Sequence, residues 1–374
     1  MEYLSFPISK VLNTNSIKNS TLFSELRFPS YGSLYFYALA LVLMVLPVGL
    51  YLLDSIRQVV RDNEKKPPLP QPTKISDIRI YPIKSCRGIS VKSATLLRTG
   101  IDLDRKWMFV DAATNKFLTI RENSSMTLIN IDITEDDQLH VHAEKINAQA
   151  KLTVPAHPTP EWLKKHTELQ TVEIWGRKTD GWVYSAKLTA GFEQLFGGMQ
   201  VRLVLKGPEP RVLSGNGHSK HLGRVEHTMF PDVAPILVGS DSSLAELNVR
   251  LLEKGQKPIT IERFRPNIIV EGAQPWNEDV WKTLALGDDG ELCMDVLARC
   301  ARCQVPNVEP TTGEKHKKEP WSTLMSYRRV DEGFKYKPCF GMLCAPREEG
   351  VIDVGMAVAV TDTTFKHKYI SGFS

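Results

Sequence analysis

Cysteine is scarce in this chain, six in 374 residues, too few for a disulfide scaffold. The net charge of +4 is mild, and no dense basic stripe with interleaved aromatics occurs, which argues against nucleic acid as a partner. The chain has no G-x-x-x-x-G-K phosphate loop, no G-x-G-x-x-G, no H-E-x-x-H and no G-x-S-x-G. Their absence argues against nucleotide, zinc-protease and esterase chemistry. No repeat of fixed period is visible. With 42% hydrophobic and 24% charged residues, the composition is that of a globular protein rather than a disordered, collagen-like or coiled-coil one.

One long uncharged run is present. From Ser33 to Leu53 the chain reads SLYFYALALVLMVLPVGLYLL. About 20 such residues span a bilayer core as a helix, which satisfies its own backbone hydrogen bonds in lipid. Tyr31, Tyr35, Tyr37 and Tyr51 stand toward the two ends, as interfacial aromatics do. A cleaved signal peptide fits poorly, since the run is too long and Leu53-Asp54 offers no small-residue cleavage site. Lys18 and Arg27 precede the run, and Arg57, Arg61, Lys65 and Lys66 follow it. The excess on the C-terminal side orients the body toward the cytosol, where thiols stay reduced. The expected organisation is a tail over 1–32, a membrane anchor over 33–53 and a proline-rich tether over 54–73. Two body domains follow, over 74–200 and 201–361, and then a tail over 362–374.

The body reads as mostly strand. Ile78, Ile80 and Ile83 sit near a period of two, and Leu128–Ile133 alternates apolar and polar residues. Trp107–Val110 and Phe117–Ile120 flank a turn and suggest a hairpin. Helices are few, the better candidates being Leu188–Phe196 and Asp241–Glu253. Many strands and few helices predict a mainly β, α+β body rather than a doubly wound sheet.

Three local patterns bear on chemistry. In Ala298-Arg299-Cys300-Ala301-Arg302-Cys303, two thiols stand beside two arginines, and guanidinium charge favours thiolate. Four readings are open at this point. Cys300 and Cys303 join Cys339 and Cys344 at zinc; the pair is a thioredoxin-type C-x-x-C; one thiolate ligates a metal held mainly by an organic cofactor; or the thiols are buried core residues. In Arg263-Phe264-Arg265-Pro266-Asn267, a rigid pre-proline turn presents guanidinium forks to a phosphate or carboxylate, or forms a solvated strand edge. Lys84 and Ser85, with Arg105 twenty residues on, could form an anion pocket.

In this order, I-Y-P-I-K-S-C-R-G, D-R-K-W, R-F-R-P-N, C-A-R-C and K-E-P-W-S-T-L-M-S-Y-R resemble the MOSC family, and within it the membrane-anchored, amidoxime-reducing branch. The resemblance runs from about Lys74 to Val360. It implies a MOSC N-terminal β-barrel domain and a MOSC β-barrel domain. It also implies the molybdenum cofactor: molybdenum on a pterin dithiolene (molybdopterin) with a terminal phosphate. By resemblance Cys303 is the metal ligand, and Lys84, Ser85, Arg105, Arg265, Asn267 and Arg302 surround the pterin and its phosphate. Cys300 becomes a neighbour. The implied activity is reduction of small N-hydroxylated substrates, with electrons from NADH through cytochrome b5 reductase and cytochrome b5. The implied location is the mitochondrial outer membrane. Two departures stand out. Asp232-Val233-Ala234-Pro235 lacks the hydroxyls of an Asp-Thr-Ser-Pro segment, and Phe340-Gly341-Met342-Leu343 lacks the tyrosine of Phe-Gly-Gln-Tyr. A sulfur carrier, or a cofactor-binding protein without turnover, is the alternative from another class.

Overall fold

The computed structural model describes residues 31–63, 66–144 and 146–372. It divides into two units, Met1–Lys65 and Lys66–Ser374.

The described part of the first unit is one helix, Tyr31–Asn63, with Pro47 inside it. At 1.5 Å per residue it is about 50 Å long, more than a hydrocarbon core needs. Leu41, Leu43, Met44, Leu46 and Leu50 are each more than half exposed, and the stretch Tyr35–Val60 is apolar enough to cross a membrane. The tail expected over 1–32 lies outside the described residues, except that Tyr31 and Gly32 open the helix. Lys18, Arg27 and Lys65 also lie outside them. The helix does not stop at Leu53 but continues to Asn63, so half of the expected tether is helical. The reason is local: DSIRQVVRDN holds no proline or glycine to end it. The proline-rich remainder is not free either. Thr363 Oγ1 donates to the Pro67 carbonyl, and Lys66 pairs with Asp362 at 2.8 Å.

In the second unit, seven strands close into a barrel. Their order is Ile268–Val270, Ile236–Ser240, Cys339–Pro346, Leu292–Ala301, Trp281–Leu286, Ala357–Thr363 and Thr73–Ile80, which returns to the first. All neighbours are antiparallel except Ile236–Ser240 with Ile268–Val270. Closure leaves no unpaired edge. Ile78 and Ile80 are buried in the core, as their period of two predicts; Ile75 joins them across a register shift between Ile75 and Asp77, and Ile83, also buried, lies beyond the strand end.

Besides a small ladder of Arg211–Val212 with His227–Thr228 and a sheet of Gly350–Asp353, Ser93–Leu97 and Gly100–Ile101, two sheets lie between Trp107 and Lys206. One joins Trp107–Asp111, Val201–Lys206, Arg177–Tyr184 and Thr167–Ile174; another joins Asn130–Ile133, Gln138–His142 and Lys151–Pro155. Two pairings cross the expected division after residue 200. Val201–Lys206 pairs along Trp107–Asp111. Conversely, Thr73–Ile80 belongs to the barrel of the C-terminal half, with Ile78 opposite Ile268. The hairpin expected at 107–120 shrinks to a single bridge, Val110 to Phe117, and on the same edge Trp107 bridges to Ile83 instead. Asp241–Glu253 is a helix as expected, while Leu188–Phe196 is mostly a 3₁₀ turn, Ala190–Phe196. The segment after Thr363 packs on the body, with His367 and Tyr369 buried.

Candidate functional site

A cleft of about 500 Å³ opens where the loops at one end of the barrel meet the Trp107–Lys206 sheets. All seven residues expected at a cofactor line it: Lys84, Ser85, Arg105, Arg265, Asn267, Arg302 and Cys303. Ser85, Arg105 and Arg265 have φ of 70°, 49° and 57°. Three non-glycine residues in the left-handed region of one site are costly and persist only where surrounding bonds enforce them. Here the bonds are visible. The Arg105 N–H donates to the Tyr81 carbonyl at 2.8 Å, and the Arg265 N–H to the Glu262 carbonyl at 3.0 Å.

Tyr81 is the floor of this wall. It is fully buried, and the guanidiniums of Arg105 and Arg265 lie 4.7 Å and 4.2 Å from its ring centroid. Gly88 allows the ring in: a Cβ there would stand 2.3 Å from Tyr81 Cε1. Arg105 also pairs with Asp104 at 2.5 Å and donates to Asn267 Oδ1 at 3.1 Å.

Asn267 lines the cleft with its amide already hydrogen-bonded to protein groups. Its Oδ1 also accepts the Leu237 N–H (3.1 Å), and its Nδ2 donates to the Arg79 carbonyl (3.2 Å). The amide therefore braces two barrel strands and aims Arg105.

Five residues at the site were not among those expected to hold a cofactor: Asp232, Arg121, Trp175, Tyr369 and Phe334. Asp232 accepts from Lys84, from Arg121 Nη2 at 2.9 Å and from Trp175 Nε1 at 3.0 Å. Burial pushes its carboxyl up, but Lys84 and Arg121 override this and hold it well below the usual range. Burial lowers Lys84 to about 8 despite Asp232. Arg265 falls to about 10 through burial and then the neighbouring Arg105 charge. Arg121 stacks over Trp175 at 4.5 Å and interacts with the Cys303 thiol. Tyr369 and Phe334, stacked at 5.3 Å, also line the cleft. Only Asp232 carried a signal, through the Asp-Val-Ala-Pro segment. Arg121 and Tyr369 lie in no quoted motif.

The strand Leu292–Ala301 sorts the cysteine segment by its period of two. Ala298 and Cys300 face an apolar cluster with Ala234, Leu237, Leu343 and Tyr369. Arg299 turns away to Asp279 and Asp331, both at 3.7 Å. Arg302 reaches the cleft, donating to Cys300 Sγ at 3.1 Å and to the Phe264 carbonyl at 2.8 Å. Cys303 follows the strand end, at the cleft. The zinc reading fails among the described residues, where no three His, Cys, Asp or Glu converge. Cys339 and Cys344 are buried in the barrel wall. The thioredoxin reading fails because the pair ends a strand instead of opening a helix. The two sequence departures, Val233-Ala234 and Leu343, both fall in or against the apolar cluster, while Met342 packs in the main core.

A closed seven-strand barrel and a companion set of β-sheets, with a cation-lined cleft and a cysteine at a strand end, define the class. The chain belongs to the MOSC family: the MOSC domain matches residues 225–359, and the MOSC N-terminal beta barrel domain matches residues 72–197. Within it, the chain is 30% identical over 289 residues to mitochondrial amidoxime reducing component 2 of Bos taurus, covering 75% of this chain and 81% of that one. It is 31% identical over 290 residues to mitochondrial amidoxime-reducing component 1 of Mus musculus, covering 75% and 80%. It is also 31% identical over 284 residues to molybdenum cofactor sulfurase of Arabidopsis thaliana, covering 72% of this chain but 32% of that protein.

Proposed function

We propose that this chain is a membrane-anchored molybdenum-cofactor reductase of small N-hydroxylated compounds such as amidoximes and hydroxylamines. The observation that carries this reading is the convergence of Lys84, Ser85, Arg105, Arg265, Arg302 and Cys303 on one cleft, in a chain about 30% identical to proteins named for amidoxime reduction.

A pterin dithiolene with a terminal phosphate suits the donors present. Arg265 Nη2 and Arg302 Nε are buried without a partner among the described residues, and a buried cationic donor left unpaired is costly until an anion accepts it. Lys84, Arg105 and Arg265 hold the phosphate, Ser85 and Arg302 hold the pterin, and the Cys303 thiolate holds the metal. Asn267 positions Arg105 rather than meeting the pterin itself. When bound, the cofactor supplies a two-electron couple at molybdenum. The net reaction takes an N–OH group, two electrons and two protons to N–H and water. Arg121, between Asp232 and Cys303, keeps a positive charge beside the reacting centre.

Electrons come from NADH through cytochrome b5 reductase and cytochrome b5. The helix Tyr31–Asn63 anchors the chain by a single pass in the mitochondrial outer membrane, with the body in the cytosol. Anchoring beside membrane-held donors raises their effective concentration. Metal and pterin analysis of the purified full chain tests this reading, together with turnover of benzamidoxime by a reduced dye. Stoichiometric molybdenum and pterin with turnover is expected. Persulfide on Cys303 without molybdenum would instead make the chain a sulfur carrier, and cofactor without turnover would make it a binding protein.

A further inference from the structure

We infer that the segment 364–372 is the selectivity wall of the cleft, and that Tyr369, stacked on Phe334, favours substrates whose group beside the reacting N–O bond is flat over saturated groups of the same size. The inference rests on the reductase reading and adds a residue to it that the cofactor set does not include.

The segment lies beyond the matched MOSC span, which ends at residue 359. It is tied to the body along its length. The Thr364 N–H donates to the Val280 carbonyl (2.8 Å), and Arg299 Nη1 to the His367 carbonyl (3.1 Å). Asn216 then grips it from both sides: its Nδ2 donates to the Lys368 carbonyl at 2.9 Å, and its Oδ1 accepts the Ile370 N–H at 2.7 Å. Between these points the Tyr369 N–H donates to Asp331 Oδ1 at 2.8 Å. Backbone held this way is a wall, not a tail.

What it presents is apolar and flat. The rings of Tyr369 and Phe334 lie 5.3 Å apart at 17°, over Ala234, Leu237 and Leu343. All five line the cleft. The same cleft is lined by Lys84, Arg105, Arg121, Arg265 and Arg302, which an anionic cofactor would cover. That leaves the aromatic face for the organic part of the substrate. A planar ring stacks on another with good contact, while a puckered one of equal size does not.

The test uses the full chain and two probes, benzamidoxime and cyclohexanecarboxamidoxime, each measured by calorimetric titration and by kcat/KM with a reduced dye. The flat-to-puckered ratio should exceed one in the natural protein and fall about tenfold in Tyr369→Leu, since an aromatic pair contributes up to about a decade of affinity. Tyr369→Phe should keep the ratio. Asn216→Ala, which frees the segment without touching the cleft lining, should lower it by a smaller factor, and it serves if Tyr369→Leu does not fold. No preference in the natural protein, an equal loss for both probes, or an unchanged ratio in the folded variants would overturn the inference. Selective binding without reduction would instead overturn the reductase reading and leave the wall standing. Reduction of both probes with a ratio that no substitution moves would do the reverse.

Discussion

The cleft lining gathers Lys84, Arg105, Arg121, Arg265 and Arg302, with Asp232 pairing Lys84 and Arg121, while a second part of it, the cluster of Ala234, Leu237, Phe334, Leu343 and Tyr369, carries no charge. The first is assembled against resistance. Its loops hold left-handed backbone at Ser85, Arg105 and Arg265, and burial works against the charge of Lys84 and of Arg265. The second is ordinary packing, which is stable without a ligand. The difference teaches where binding energy is stored. A preorganised, under-neutralised wall gains from an anion, and an apolar wall gains nothing from one.

The sharpest way to break this comparison lies in the two thiols. Cys303 stands beside Arg121 of the charged wall, and Cys300 packs with the apolar one. Cys303→Ala should abolish reduction of benzamidoxime, and Cys300→Ala should largely keep it. The reverse outcome in an activity assay would exchange their roles. A smaller effect separates occupancy from stability. Arg265→Ala loses a charge-assisted contact of roughly 1.5–3 kcal/mol, so molybdenum and pterin retained through gel filtration should fall together by about tenfold or more. Circular dichroism should be unchanged. Leu343→Ala, in the apolar wall, should instead cost about 2–5 kcal/mol of fold stability in denaturant titration. Full cofactor occupancy in Arg265→Ala would remove that residue from the site.

The smallest expected effect is on acid stability. Lys84 and Arg121 depress the Asp232 carboxyl below its unfolded value of about 3.9. Its stabilisation is thus present above that value and lost progressively as pH falls below about 4. Thermal melts of Asp232→Asn should show a smaller drop between pH 6 and pH 3 than the natural protein. The side chain is one-third exposed, which keeps the difference modest. Parallel pH profiles would mean that Lys84 and Arg121 find other partners.

Some of this was legible in the residues alone because it is local. An uncharged run from Ser33 to Leu53 has few structures open to it besides a helix, and Tyr31–Asn63 is one. Ile78 and Ile80, two apart, announce the strand Thr73–Ile80. Lys84, Arg105, Arg265, Arg302 and Cys303 were brought together by the resemblance of their motifs to a family, and they do share one cleft.

Partner choice was decided only in three dimensions. Nothing in Ile78 says that it will lie opposite Ile268 and close a barrel, or that Val201–Lys206 will join the sheet of Trp107–Asp111. A strand's sequence specifies which face is apolar, but the ladder partner depends on chain closure over many residues. The same holds for side chains. The Asn267 amide reads as a ligand until its bonds to Leu237 and Arg79 are seen, and Arg299 and Arg302 look alike until the strand points them apart. Asp232, Arg121 and Tyr369 come from separate segments and acquire their roles by meeting Lys84, Cys303 and Phe334. Hydropathy and spacing act between neighbours in the chain, so the sequence by itself determined the helix, the strand texture and the chemistry on offer. Charge pairing, burial and stacking act between neighbours in space, so only the fold decided which groups stand together.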